Sequence, residues 1–546
     1  MLLTKEKAKV QRIAGLILFA VLFSGGLSAA PSTAVFNIKD YGATGIKTDN
    51  AQPAIQKAIE ACAAAGGGVV YFPPGEYTAS TIFLRSQVRV VIEAGATLFA
   101  SQDPKAYAKE TLALFYGQDL DHNTVEGRGV VDGQGEYEWR PNDWDDAYIK
   151  DNQLLMEAAG KPTLRSFPKA NATPKMFLLI RCKDVRIAGL SLLRSPSWTM
   201  HPIGCERLVI DGVYIHTSLE DGVWADGIDP DGCKDVRIAN CTIETGDDAI
   251  VFYSMNWYGP ARPCENITVT NCRLSSASSA IKFCDGNMNC VRKVTISNCV
   301  ITDSNRGIAF MVFDGGYVSD VVISDLTIDC RRHKWFWWGD GDPFHFNVKR
   351  RSEIMNRAPQ PSEPAAGSIR NVKLSNIIAR GKGSSLINGH PDSWLDGVTM
   401  ENITLILSND PEAQVQKVKN AFEFRWARNL KLRNVEVLWD KPESELWESA
   451  FSFKEVSGLT MADVSARQAK PGASTAAVVL DQVEDAIIRQ AKAQPGTSVF
   501  LEVRGDQSKE IYLVDSDLRQ AETAYRVRTG AAEAAVKASN NLAKKK

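Results

Sequence analysis

One short phrase recurs down this chain. It is complete at Asp235–Cys241 (DVRIANC), Asn266–Cys272 (NITVTNC) and Lys293–Cys299 (KVTISNC). Looser copies begin at Val185, Leu208, Val321, Val372, Val398, Leu430 and Leu459, and fainter ones at Ala486 and Ile511. The starts at Leu208, Val236, Ile267, Val294 and Val321 are 28, 31, 27 and 27 residues apart, whereas the next, to Val372, is 51 and implies an insertion at about 330–368. Apolar and polar residues alternate within each copy, which is the period of a strand, and no stretch of period 3.6 separates the copies. A unit of this size cannot bury its apolar face alone and must stack on its neighbours. The fold class that follows is all-β: a single-stranded right-handed parallel β-helix over residues 31–530. An elongated stack also accommodates 546 residues, which is long for one compact core.

Two columns support the stacking. Asn240, Asn271, Asn298, Asn376, Asn402 and Asn434 stand four residues after their repeat starts, and Gly189 and Gly212 share that offset. Asn and Gly best tolerate the left-handed backbone of a tight corner, and stacked Asn amides can hydrogen-bond from coil to coil. One residue later Leu190, Val213, Cys241, Cys272, Cys299, Leu326, Ile377, Ile403 and Val435 form an inward column. Cys in such a column is a small hydrophobe. The 11 Cys show no Cys-x-x-Cys spacing, so buried free thiols are expected ahead of disulfides or metal, with Cys284 and Cys290, beside a Gly/Asn turn, the exceptions.

The ends differ from the middle. Pro53–Ala65 reads as an amphipathic helix with Ile55, Ala58, Ile59 and Cys62 on one face, stopped by Gly66-Gly67-Gly68 and placed to cap the first coil. No Gly-Lys-Ser/Thr follows that Gly run, so it is not a phosphate loop. Residues 1–30 read as a signal peptide: Lys5, Lys7, Lys9 and Arg12, a short apolar run Ile13–Leu22, then Ser28-Ala29-Ala30. That run is too short to span a bilayer, so export to the periplasm or beyond is expected, with no membrane partner. Residues 531–546 read as a flexible tail. A net charge of −2 gives no indication of nucleic-acid binding.

Chemistry concentrates in Asp226, Asp229, Asp247 and Asp248. Asp226 and Asp247 are 21 residues apart, about one coil, so the two stretches should face each other on neighbouring rungs. With a sideways offset the carboxyl groups would be ~6.5–9.5 Å apart, the gap that holds water in inverting glycoside hydrolysis. Carboxylates this close cannot all ionise, and one that keeps its proton can serve as general acid. On spacing alone, catalysis, Asp-Gly turn chemistry and a Ca²⁺ site all remain open.

These residues resemble glycoside hydrolase family 28, the polygalacturonase-like, pectin-degrading enzymes. That family carries Asn-Thr-Asp followed one coil later by Asp-Asp. Here Ala225–Asp229 is similar to the first and Gly246-Asp247-Asp248 to the second. Asp40–Ala43, Thr48-Asp49, Ala54-Ile55, Gly66–Gly68, Pro73–Gly75 and Ser195–Pro202 also resemble the family, so the likeness runs over about 35–410. It implies inverting hydrolysis with Asp247 as general acid, Asp226 and Asp248 activating water, Asp229 in support, and no cofactor or metal. The chain departs from the pattern in three places. Trp224-Ala225 replaces Asn-Thr; no His stands near Ser278-Ser279-Ala280, where Gly-His-Gly belongs; and Ala309-Phe310-Met311 holds neither base of Arg-Ile-Lys. Because those bases bind the sugar carboxylate in the family, their loss bears on substrate. Lys282 and Arg306 are the replacements to examine. His201, near Trp198, is a candidate sugar ligand, though a structural His is an equal reading. In the insertion, Trp337 and Trp338 are candidate stacking faces in a loop that walls one end of the groove. The substrate expected is a galacturonan or rhamnogalacturonan chain, and the enzyme a monomer. A polysaccharide lyase and a non-catalytic carbohydrate-binding β-helix are the competing classes. No strong base stands among the acids, which argues against the first, and the three Asp argue against the second.

Overall fold

The computed structural model describes residues 34–137, 139–142, 167–170, 174–222, 224–333, 339–410, 418–441 and 445–544. Three lines of parallel strands run along it, with partners one coil apart. The repeated phrase makes the first line: Lys183–Ala188, Glu206–Asp211, Lys234–Ala239 and Cys264–Thr270 pair in turn, with Val185, Leu208, Val236 and Ile267 in register. Ser191–Leu193, Tyr214–His216, Thr242–Thr245 and Arg273–Ser276 continue into the second line. The third contains Lys175–Ile180, Met200–Ile203, Ile250–Ser254, Ser279–Asn287, Arg306–Val312 and Asp342–Val348. Between Met200–Ile203 and Ile250–Ser254 the rung is reduced to single bridges at Ile228 and Asp231. This irregular rung carries the first acids. The fold is the parallel β-helix expected from the repeats.

The corner between first and second lines shows why Asn recurs. Asn240, Asn271, Asn298, Asn376, Asn402 and Asn434 all have φ between 48° and 59°. Asn tolerates this region where most residues do not. Their amides form a ladder along the outside: Asn271 Nδ2 donates to Asn240 Oδ1 (2.7 Å), Asn402 to Asn376 (2.9 Å) and Asn434 to Asn402 (3.0 Å). Two runs of the ladder end on a carboxylate: Asn376 donates to Asp325, which holds the Asn position of its copy, and Asn240 donates to Asp211, the residue before Gly212.

Inside, the alternating apolar residues merge into one continuous core. Under the third line Phe252, Phe283, Phe310 and Phe346 stack at centroid spacings of 5.1, 4.2 and 4.2 Å, one ring per coil. The ten cysteines with described side chains, Cys290 included, are free and buried; the side chain of Cys284 lies outside the described residues. Gln52–Ala64 is the N-terminal α-helix, burying Ala54, Ile55, Ala58, Ile59 and Cys62 against the first coil.

The long step is a single coil. Val321 and Val372 are in register, and the extra chain includes the strand Asp342–Val348, which takes its place in the third line. At the C-terminal end the tail reading needs correction. Val536–Ser539 pairs with Ile511–Val514, and Leu542–Ala543 with Asp517–Leu518, so residues up to 543 add a further partial coil. The Ala-rich composition suggested helix or disorder, but the open edge of the last coil offers backbone partners to any extended segment. The expected signal peptide lies outside the described residues. Among those described, no helix is long and apolar enough to cross a membrane.

Candidate active site

The acids sit where the second line turns into the third. Ile228 pairs with Ile250, which puts Asp226 opposite Asp248 one coil apart, with Asp247 just before it. Backbone crowding explains the glycines beside them. A Cβ on Gly227 would lie 2.3 Å from the Ala249 carbonyl oxygen, and one on Gly246 would lie 2.2 Å from that of Ser218. The Asp247 carbonyl is fixed by two hydroxyls, Thr245 Oγ1 (2.8 Å) and Ser276 Oγ (2.7 Å). Its carboxylate accepts from the backbone N–H of Asp248 (3.0 Å) and of Trp224 (3.2 Å). Trp224 delivers that N–H from a left-handed conformation, φ 74°, rare for a bulky residue and a form of strain that gathers at functional sites.

Each of Asp226, Asp247 and Asp248 places an oxygen within 4.8 Å of the other two, and all three are buried. Asp226 and Asp248 are stacked in register instead of being displaced sideways. Burial, then the charge of Asp248, pushes Asp247 up to about 7. Burial, then Asp247, pushes Asp226 well above the carboxylate range. Asp248 differs: it accepts from Ser279 N (2.9 Å) and from Lys282 Nζ (2.8 Å). The three carboxylates are close enough to hold a cation, and the Lys282 ammonium supplies the positive charge there. Burial opposes that charge, but Asp248, Asp285 and Asp247 together hold the ammonium above its usual range.

A groove of about 730 Å³ opens over the triangle. Lys282 and Arg306, the proposed replacements for missing bases, both line it, as do Trp198 and Trp224. Asp229 and His201 do not. Both are fully buried behind the wall, beside the half-buried Lys175. Lys175 Nζ contacts His201 Nδ1 at 2.5 Å and lies 4.1 Å over the Trp198 ring. Burial brings that amine down to about 8, against the pull of Asp229, Asp226 and Asp231. Burial, then Lys175, lowers His201 well below its usual value, so it stands neutral as a structural partner. Trp337 and Trp338 lie outside the described residues. The nearby insertion segments that are described line the groove with Gly339, Asp340 and Asp342.

Two residues of this region carried no sequence signal: Lys175 arrives from a coil before the acids and Asp285 from a coil after them. Asp342 closes the insertion segment that also holds Trp337 and Trp338. Asp342 lies in register with Arg306 and accepts from His345 Nδ1 at 2.8 Å.

Residues 70–330 match the family model described as Glycosyl hydrolases family 28. A Vitis vinifera protein named "Probable polygalacturonase" is 24% identical over 68% of this chain and 74% of its own length. A Platanus acerifolia exopolygalacturonase is 26% identical over 40% of this chain, and that match spans only 52% of the relative. Among solved structures, an exopolygalacturonase of Thermotoga maritima aligns over 76% of this chain and 93% of its own with a TM-score of 0.55 at 23% identity. A Yersinia enterocolitica family 28 exopolygalacturonase aligns over 81% and 79% with a TM-score of 0.58 at 18% identity. Those two likenesses concern the fold. The family match falls across the coils that carry Asp226, Asp247 and Asp248, and with the polygalacturonase relatives it supports a glycoside hydrolase of family 28.

Proposed function

We propose that this enzyme hydrolyses pectic polysaccharide of galacturonan or rhamnogalacturonan type by inversion, with Asp247 as general acid. One observation carries the assignment. Of three clustered carboxyl groups, burial raises Asp226 and Asp247 while Asp248 is compensated by Lys282, and the family resemblance selects Asp247, at about 7, as the donor. Environments that push neighbouring groups apart in this way separate acid from base. Asp247 gives its proton to the glycosidic oxygen as the bond to the anomeric carbon breaks. A water held by Asp226 and Asp248 adds to that carbon and passes a proton to Asp248. The polymer class is supported by the names of the relatives, and the stereochemistry by the family resemblance. Because carboxyl separation distinguishes inverting from retaining enzymes and these three acids are clustered, the stereochemical outcome is the point to measure. The chain is read as an exported monomer, on its first 30 residues and its capped solenoid.

The test is Asp247→Asn assayed on polygalacturonan, rhamnogalacturonan and their oligomers. Loss of ~10³-fold or more in kcat with substrate binding retained is expected for removal of a general acid and its charge. Undiminished turnover would refute the assignment.

A further inference from the structure

We propose that the sugar seated on the three acids is neutral: the glycosidic bond cleaved belongs to an uncharged hexose or deoxyhexose unit, not to a uronate. This rests on the hydrolase reading above and narrows its substrate.

The inference comes from the charges of the groove. Among the described residues its lining holds seven Asp or Glu side chains and four Lys or Arg. Three of those four cations are already matched. Lys282 is shared between Asp248 (2.8 Å) and Asp285 (3.7 Å). Arg306 faces Asp342 at 3.6 Å, with its side chain only 6% exposed and its Nε without a hydrogen-bond partner among the described residues. Arg351 pairs with Asp314 and, at 3.7 Å, with Asp285. Lys349 is the remaining one, and no carboxylate among the described residues pairs with it. It follows the strand Asp342–Val348, whose first residue is in register with Arg306, itself in register with Ser279 on the coil after Asp248. At parallel-strand spacing it therefore lies three coils, ~14 Å along the axis, from the acids. A carboxylate read by Lys349 belongs to a different sugar from the one being cleaved.

A uronate at the reaction centre would bring a fourth carboxylate against three buried ones, where the ammonium in contact with them, Lys282, is already shared between Asp248 and Asp285. Burying a charge without a partner is heavily disfavoured, and like charges in one site raise the cost. A neutral sugar incurs neither penalty. The same end of the groove offers aromatic surface in Trp224, two residues before Asp226, beside Trp198, whose ring already packs against Tyr253 (5.1 Å) and Lys175 (4.1 Å). Such faces take the C–H side of a pyranose ring while the carboxylates take its hydroxyls.

The experiment uses pairs matched in linkage and differing only at C6: oligogalacturonides against the same oligomers with the carboxyl groups reduced to hydroxymethyl. Aryl glycosides of galacturonic acid, galactose and rhamnose, in both anomers, complete the panel. kcat/KM for the best neutral substrate is expected to exceed that of its uronate counterpart by at least ~10-fold, the size of one missing charge partner. A uronate cleaved as fast or faster overturns the proposal and leaves the hydrolase reading standing. Asp342→Asn provides a second reading, because it releases Arg306. In a folded variant the uronate-to-neutral ratio of kcat/KM is expected to rise several-fold, and an unchanged ratio contradicts the proposal. No turnover of any substrate by the unaltered enzyme defeats the hydrolase reading itself and the inference with it.

Discussion

Lys282 shows how one side chain sets the working pH of the triangle. It compensates Asp248 directly and also holds down Asp247, which burial raises to about 7. The general acid works only while protonated, so the rate falls as pH rises through about 7. Removing the ammonium removes a term that lowers Asp247, so its value rises. In Lys282→Met the alkaline limb of the kcat/KM profile is expected to move upward by ~1 pH unit or more, with kcat down ~10²-fold as Asp248 loses its partner. A pH–rate series on both proteins checks this, and a limb that stays in place would show that Lys282 is only structural. The acids themselves were legible in the sequence, because Gly-Asp-Asp and Asp-Gly one coil apart is a local pattern repeated at the repeat length. Lys175 and Asp285 were not. Neither has any local mark, and each reaches the site only through the register of coils before or after it. His201 was visible as a residue, but its burial behind Trp198 depends on how Lys175–Ile180 stacks beneath it.

At the level of the elements, the corner Asn ladder decides how strands turn without leaving their lines. Cys290–Ser304 is one continuous strand through the corner, with Asn298 at φ 54° as its hinge. Two variants at one position separate the two contributions. Asn402→Gly keeps the left-handed backbone and loses the amide bonds to Asn376 and Asn434, so a cost of ~0.5–1 kcal/mol is expected. Asn402→Ala adds the left-handed penalty, a further ~1 kcal/mol. Urea unfolding of both proteins checks the order, and equal loss in the two would mean that the ladder contributes nothing beyond backbone conformation. This element was readable because Asn recurs at a fixed offset. The rung at Ile228 was not, since a segment joined by two single bridges has no strand alternation, and its step of 22 residues to Ile250 is shorter than the steps of the repeat.

Over the whole molecule, stacking converts a sequence period into a surface. Each coil contributes one rung to the third line, and the groove is the sum of side chains from successive rungs. The acids come from two adjacent coils, the matched cations from the next three, and Lys349 from the last of these. The C-terminal coils, including the partial coil of Val536–Ser539, lie beyond the groove and cover the core edge. The period was legible throughout; the final coil was not, because pairing with an exposed edge needs only extended backbone and leaves little trace in the side chains. The central claim is that one proton donor and one water act from opposite sides of the sugar. Proton NMR of the first-formed product during digestion tests this directly, with polygalacturonan, rhamnogalacturonan and the most rapidly cleaved neutral glycoside as substrates. Reducing sugar released with the anomeric configuration opposite to that of the cleaved bond, mutarotating afterwards, is the expected result. Product formed with the original configuration would mean that the close Asp226–Asp247–Asp248 triangle works through a covalent intermediate, and would contradict the mechanism proposed here.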